Sequence, residues 1–580
     1  MTEIQEEIVL RGSSISKGIG IGFPIFVAGN DTVATSVLTG CREVEEEIHR
    51  YRRALDLSRQ DLERLHETSV QGGPAEIVAI LGTHLEIMKD PLITTDIEQR
   101  IRETQQNTES IFNHLIEEYK HRFSSLQDSY FQERIRDVVD ISQRILGHLR
   151  PIPRLKMSDI PHNTVILAYE LVPSETIEAN ASLVSAFVTA TGGLTSHAAI
   201  IARAKGIPYV ANIDIRVLQL TPLHSLIVDG GLGLVILNPT KETLKKYQNL
   251  KRKEIAEGRR LKKGARLKGE TIDGYEVRIF ANLDNPEDIE LTLRHGAVGV
   301  GLFRSEYLCL PKQQFPTEEE QFDIYKKMVK SLRGKPLVIR VFDLGGDKKF
   351  GLEQTDVEPN PALGCRAIRF LMRHPSILDA QLRAILRASR FGEIHVLVPM
   401  VSDISELCFV RQRIAALQTE LRAQGHKVAQ TIRLGCMIEV PSSALMCDVI
   451  AHEADFLSIG TNDLIQFVLA ADRANPYTSD LYSAAHPSVL RMLRMIVSFA
   501  TAAHKPVVVC GEIAANPLLI PILLGFGISE FSVAARHIPL VKDTVRKWRL
   551  LEACKLAEKA LHYPSAESLK EYLIAEGHKT

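Results

Sequence analysis

At 580 residues the chain is long enough for three or four domains, and its balance of 45% apolar and 24% charged residues is that of an ordinary folded protein. A net charge of -1 gives no overall attraction to nucleic acid or to an acidic membrane. The acidic start, Met1 to Glu7, and the lack of an apolar run of spanning length predict a cytoplasmic protein with no membrane insertion. Eight cysteines stand singly with no Cys-x-x-Cys pair, so buried packing is the default for each thiol.

Ile15, Ile19, Ile21, Phe23, Ile25 and Val27 fall at or near every second position between Gly12 and Ala28, which predicts a strand. Gly18-Ile19-Gly20-Ile21-Gly22 has the look of a dinucleotide loop, but the run continues as strand through Pro24 and Phe26 instead of opening a helix. From Val44 the period becomes helical, with Val44, Ile48, Tyr51, Leu55, Leu62 and Leu65 on one face. Further helical stretches run to Leu149 and stop at Pro151-Ile152-Pro153, so this region reads as a small all-helical bundle. Strand patterns resume at Thr164 to Ala168 and Ala186 to Thr189, and Ser225 to Gly231 with Gly233 to Leu237 reads as a hairpin. If the first strand joins these, the bundle is an insertion in an α/β domain.

Ahead of that hairpin lies Thr191-Gly192-Gly193-Leu194-Thr195-Ser196-His197, then a strong helix former, Ala198 to Ala204, that stops at Gly206-Ile207-Pro208. The two glycines permit backbone angles closed to other residues, and Thr195 and Ser196 are good caps. His197 then falls in the first helical turn, where unpaired N–H groups and the positive dipole end favour an anion such as a phosphate carried on the imidazole. The plainer reading is that His197 simply caps a surface helix.

Residues 241–268 hold twelve Lys or Arg against Glu242, Glu254 and Glu257, with only Tyr247 to stack on a base. A solvated linker helix, which Gly258 and Gly264 could bend, is favoured over nucleic-acid binding. Beyond it, eight short apolar runs alternate with helical segments: Val277 to Asn282, Val298 to Phe303, Leu337 to Phe342, Ile394 to Met400, Leu434 to Val440, Phe456 to Gly460, Val507 to Cys510 and Phe531 to Val533. Helices are expected at Glu318 to Leu332, Ala380 to Arg390, Leu407 to Ala423 and Val489 to Ala503. A parallel (β/α)8 TIM barrel is the simplest closure.

A barrel carries its chemistry on the loops that follow its strands. Strand two ends in Phe303-Arg304-Ser305-Glu306, strand three carries Arg340 and runs into Asp343 to Lys348, and the next loop holds Arg366. Strand five ends in Glu439, strand six in Asn462-Asp463 with Arg473 soon after, and strand seven in Cys510-Gly511-Glu512. Several arginines at one mouth suit a multiply charged anion, because a guanidinium fork matches carboxylate and phosphate oxygens in pairs. Glu439 and Asp463 offer hard oxygens suited to Mg2+, or else form ion pairs with Arg340 or Arg473. Cys510 is either packing or a thiol placed to protonate an enolate.

The order GGLTSHAAIIAR, linker, GLFRSEYL, RVFDLGGDK, NPALGCRAIR, IEVP, DFLSIGTNDLIQF, CGEIA, FSVAA closely resembles Enzyme I of the phosphoenolpyruvate:sugar phosphotransferase system over nearly the whole chain. The resemblance implies a multidomain α/β protein with a phosphohistidine α/β domain over 1–32 and 151–240. It further implies an inserted helical domain over 33–150 that binds the carrier HPr, a linker helix over 241–268, and a phosphoenolpyruvate-binding and dimerisation barrel over 269–580. His197 would take the phosphoryl group from phosphoenolpyruvate and pass it to a histidine of HPr. Arg304, Arg340, Asn462, Asp463 and Arg473 would hold the substrate, with Lys348 and Arg366 at matching motif positions in the same site. Glu439 and Asp463 would bind Mg2+ and Cys510 would donate the proton, in a homodimer joined through the barrel. His197 would have to reach both the barrel mouth and the carrier, which makes 241–268 the expected hinge.

Two positions depart from the pattern: Leu194 stands where many relatives have Arg or Lys, and Cys365 replaces a larger side chain. An ATP-dependent synthase or dikinase shares these motifs but needs a nucleotide domain ahead of the histidine, and no glycine-rich nucleotide loop precedes His197. The remaining alternative is a non-enzymatic docking scaffold, which would bind HPr without turnover.

Overall fold

The computed structural model describes residues 7–27, 41–70, 75–123, 129–149, 160–171, 173–193, 196–214, 216–217, 224–309, 314–345, 360–473, 475, 478 and 481–577. The chain divides into two units, Met1–Glu257 and Gly258–Thr580, each with its own hydrophobic cores.

In the first unit β1 (Ile8–Arg11), β2 (Ser13–Ser16), β3 (Ile19–Val27), β4 (Thr164–Ala168), β5 (Val184–Thr189), β6 (Tyr209–Ala211), β7 (Leu226–Asp229) and β8 (Leu234–Leu237) form one mixed sheet. Its order is β1-β8-β7-β3-β4-β5-β6-β2. The single strand expected from Gly12 to Ala28 is therefore corrected to two, β2 and β3, in different parts of the sheet. The break falls at Gly18, whose φ of +121° is a turn conformation that a side chain disfavours, and periodicity cannot register a change of partner. Pro24 is tolerated in β3 because its ladder partner is Val165 of β4, whereas β7 pairs only with Ile19 to Gly22.

Between β3 and β4 the chain forms α1 (Cys41–Val70), α2 (Ala75–Ile87), α3 (Pro91–Thr94), α4 (Asp96–Thr104), α5 (Thr108–Phe123) and α6 (Ser129–Leu149). Ile48, Tyr51, Leu62, Leu81, Ile97, Phe112 and Ile145 fill the centre of this inserted bundle. After β4 come α7 (Pro173–Glu178) and, following β5, α8 (His197–Lys205). Alternate residues of β4 serve the two faces of the sheet, Ile166 and Ala168 on one and Val165 and Leu167 on the other. Ala198, Ala199 and Ala202 of α8 pack on the first face, and Ile201 joins the core of the bundle, so α8 is held from two sides.

The helix Lys241–Gly264 continues through Gly258. Tyr247 anchors it to Ile227 and Ile236, while most of its other described side chains are exposed, as the solvated reading requires.

The second unit is a closed parallel barrel of β9 (Arg278–Leu283), β10 (Val300–Arg304), β11 (Leu337–Arg340), β12 (Ile394–Val398), β13 (Arg433–Ile438), β14 (Phe456–Gly460), β15 (Val507–Cys510) and β16 (Glu530–Ala534). β16 closes on β9 with Glu530 opposite Arg278, and the eight expected runs supply the eight strands. Helices Glu318–Ser331, Pro375–Ala388, Ile404–Ala423 and Pro487–Ala502 lie in the gaps. Two begin with capping boxes, Thr317 with Glu320 and Asp403 with Glu406, which satisfy the free N–H groups of the first turn. The helix expected over Ala380 to Arg390 begins at Pro375, since proline is favoured in the first turn of a helix, and ends at Ala388. Leu302, Val338, Leu397, Met437, Phe456 and Cys510 cluster inside the barrel. Among the described residues no helix is long and apolar enough to cross a membrane.

Candidate functional site

The C-terminal ends of the barrel strands surround a cavity of about 510 Å³. Arg304, Arg340, Arg366 and Arg473 line it with Glu439, Asn462, Asp463 and Cys510, so eight of the expected barrel residues meet in one place. Lys348 lies outside the described residues.

Three of the arginines, Arg304, Arg340 and Arg366, are already held by acids. Arg340, 7% exposed at the end of β11, is paired with Glu306, and its Nη1 lies 3.1 Å from Asp343 Oδ2. Burial works against its charge, but Glu306 and Asp343 outweigh that and hold its pKa above the ordinary arginine value. Arg366 grips both oxygens of Asp343, Nε to Oδ1 at 3.0 Å and Nη2 to Oδ2 at 2.8 Å, and its Nη2 is 3.6 Å from Asp463. Arg304 reaches Asp284 at 3.2 Å. Ion pairing and anion binding are therefore compatible here: carboxylates hold the forks of Arg304, Arg340 and Arg366 in place, and all three side chains line the cavity. Glu306 Oε2 and Arg340 Nε are both buried with no hydrogen-bond partner among the described residues, a cost that binding sites carry more often than cores do.

Glu439 follows β13 directly, and its Oε1 accepts a 2.7 Å hydrogen bond from the Met400 amide. Met400 takes φ +56°, unusual for a side-chain-bearing residue, in making that contact. Burial, then the charges of Asp463 and Asp343, push the Glu439 carboxyl up to about 8. Asp463 projects from the first turn of the helix Thr461–Leu469, not from the strand itself. A buried carboxyl pushed up by neighbouring carboxylates is what a divalent cation relieves, and hard oxygens are its preferred donors, so the residues present fit such a metal.

Cys510 ends β15 and is 2% exposed, and burial pushes its thiol up to about 11. Its sulphur donates to the Ile459 carbonyl at 3.2 Å and lies 3.4 Å from Ser458 Oγ. Gly511, at φ +98°, lets the chain pass where a Cβ would stand 2.3 Å from Thr461 Oγ1. Asn462 Oδ1 accepts from the Glu512 amide at 3.0 Å, tying the ends of strands six and seven together.

His197 is the first residue of α8. Ser196 is its N-cap, accepting from the Ala199 amide at 3.2 Å, and Gly206 closes the other end in the left-handed conformation. Leu194 and Thr195 lie outside the described residues. Neither glycine of the pair takes a left-handed φ, so the backbone freedom they permit is not used there. Gly192 is required by space, since a Cβ there would stand 2.7 Å from Tyr209 Oη and 2.9 Å from Ala211 Cβ, while nothing crowds Gly193.

Sequence reasoning missed Glu306, Asp343 and Ser458 as site residues. Glu306 and Asp343 stand in the same strand-end motifs as Arg304 and Arg340, so position could have identified them; Ser458 lies inside a strand and gives no such signal.

Three stretches match profiles of phosphoenolpyruvate-utilising (PEP-utilising) enzymes: residues 11–134 the N-terminal domain, 160–233 the mobile domain and 259–550 the PEP-binding domain. The chain is also similar to proteins named phosphoenolpyruvate-protein phosphotransferase. That of Listeria monocytogenes is 35% identical over 562 residues, 97% of this chain and 98% of the relative. That of Staphylococcus carnosus is 33% identical over 560 residues, 97% of each, and that of Staphylococcus aureus strain MRSA252 is 35% identical over 563 residues, 97% of this chain and 98% of the relative.

Proposed function

Since the chain belongs to the phosphoenolpyruvate-protein phosphotransferase family, the Enzyme I family of the sugar phosphotransferase system, we propose that its barrel binds phosphoenolpyruvate and its helix α8 carries the phosphoryl group on His197. The protein is an enzyme of phosphoenolpyruvate-dependent phosphotransfer. The observation that supports this division of labour is the meeting of Arg304, Arg340, Arg366, Arg473, Asn462, Glu439, Asp463 and Cys510 on one cavity at the barrel mouth.

The arginines and Asn462 bind the carboxylate and phosphate of the substrate, and Lys348 joins them. Glu439 and Asp463 would hold Mg2+, which when bound would supply positive charge to the site. The His197 imidazole attacks phosphorus, the bond to the enol oxygen breaks, and the leaving group is an enolate stabilised by the arginines. Cys510 gives its proton to the methylene carbon, which completes pyruvate. A thiol that stays protonated near neutrality suits an acid. At the start of α8 the free N–H groups and helix dipole favour the phosphoryl group's charge.

The second transfer goes to a histidine of HPr docked on the bundle, with 1–32 and 151–240 as the phosphohistidine domain and 33–150 as the docking domain. Residues 241–268 form the linker on which His197 swings between its two partners, and residues 269–580 form the barrel, through which the protein dimerises in the cytoplasm. An engineered disulfide that immobilises the linker abolishes turnover on this reading, and unchanged transfer to HPr refutes the hinge.

Incubation with Mg2+ and phosphoenolpyruvate labelled in its phosphate tests the whole reading. Acid-labile, alkali-stable label that is lost in His197→Ala is the expected result. Absence of label on the folded, Mg2+-loaded protein would defeat it.

A further inference from the structure

Ser458 lies in the middle of β14, 1% exposed, where the surrounding barrel interior is formed by Leu302, Val338, Leu397, Met437 and Phe456. A hydroxyl buried in apolar surroundings is costly unless it is hydrogen-bonded. Among the described residues its partner is the sulphur of Cys510, at 3.4 Å. The direction of that bond follows from counting hydrogens. The thiol has one, and it points to the Ile459 carbonyl at 3.2 Å, which can only accept. With the thiol hydrogen on that carbonyl, Ser458 donates to the sulphur, and once the sulphur has lost its proton it can only accept from Ser458.

We propose that Ser458 is a positioning residue for proton transfer: its hydroxyl fixes the Cys510 sulphur at rest and stabilises the thiolate that remains once the proton has gone. The inference rests on Cys510 as the proton donor. In the step, the S–H bond breaks and its proton joins the electron pair on the enolate carbon to form the third C–H bond of the methyl group. The negative charge moves to sulphur, and solvent reprotonates the thiolate after pyruvate leaves. A hydrogen bond to a charged acceptor is stronger than one to a neutral acceptor, so the Ser458 contact strengthens as the charge arrives. It favours the product side of the transfer without touching the substrate, and the Ile459 carbonyl, which cannot donate, has no such effect.

The test is exchange of the pyruvate methyl hydrogens with D2O by the full-length protein with Mg2+, followed by NMR, a reaction that runs the proton step without phosphoryl transfer. Ser458→Ala is expected to lower kcat for exchange about 10- to 100-fold with KM for pyruvate within about twofold of wild type. Ser458→Thr, which keeps the hydroxyl, is expected to remain within about threefold of wild-type kcat. Wild-type kcat in Ser458→Ala, or equal losses in both variants, would overturn the role, the second by assigning the effect to packing. Cys510→Ala serves as the separate control: loss of exchange supports Cys510 as donor, and undiminished exchange removes the premise itself.

Discussion

Cys510 and Arg366 show how one cavity sets opposite demands on neighbouring residues. A thiol held at about 11 is a poor nucleophile, since at pH 8 only about one in a thousand is ionised. Alkylation of Cys510 by iodoacetamide, followed by peptide mass spectrometry, is expected to be slow at pH 7 and to rise about tenfold per pH unit, because only the thiolate reacts. A flat profile would show a thiol already ionised and unfit as an acid. Arg366 depends on its fork, which reaches both oxygens of Asp343. Arg366→Lys keeps the charge and loses that geometry, so KM for phosphoenolpyruvate is expected to rise about tenfold or more in steady-state assays. These residues were legible as strand-end motifs. The pairing of Arg340 with Glu306 and of Arg366 with Asp343 was not, because partners up to 34 positions apart in the chain meet only when the barrel closes.

At the scale of elements, α8 is built almost entirely from local signals. Ser196 caps it, Gly206 ends it and three alanines let it lie close to the sheet, all readable in one short stretch. Ser196→Ala removes the cap and is expected to cost about 1 kcal/mol locally, seen as about fivefold faster hydrogen exchange at the Ala199 amide. Phosphorylation of His197 should slow in the same variant, while exchange of pyruvate hydrogens in the barrel stays at the wild-type rate. A fall in both would mean that the substitution acts beyond the helix. The same stretch shows where local reading fails. Gly192 was assigned to backbone freedom, yet what excludes a side chain there is Tyr209 and Ala211 from β6. Likewise β2 and β3 share one alternating pattern but pair with different strands, a choice made by the sheet.

For the whole molecule, two units with separate cores are expected to melt as two calorimetric transitions. A ligand stabilises only the unit that binds it, so Mg2+ with a non-reacting phosphoenolpyruvate analogue should raise the barrel transition alone, by about 2.7 kcal/mol at a hundredfold excess over Kd. Glu439→Gln should abolish the Mg2+-dependent part of that shift, and a shift of both transitions would place the ligand elsewhere. By itself the sequence determined the element types, the eight barrel strands, the helical insertion and the residues at the barrel mouth, since periodicity, caps and strand-end motifs are local and repeat along the chain. Only the tertiary structure decided that Glu306 and Asp343 hold Arg340 and Arg366, that burial and neighbouring carboxylates raise the Glu439 carboxyl, and that Ser458 faces Cys510. Each of these depends on distances between residues remote in sequence and on the loss of water around them. Neither quantity exists until the barrel is closed.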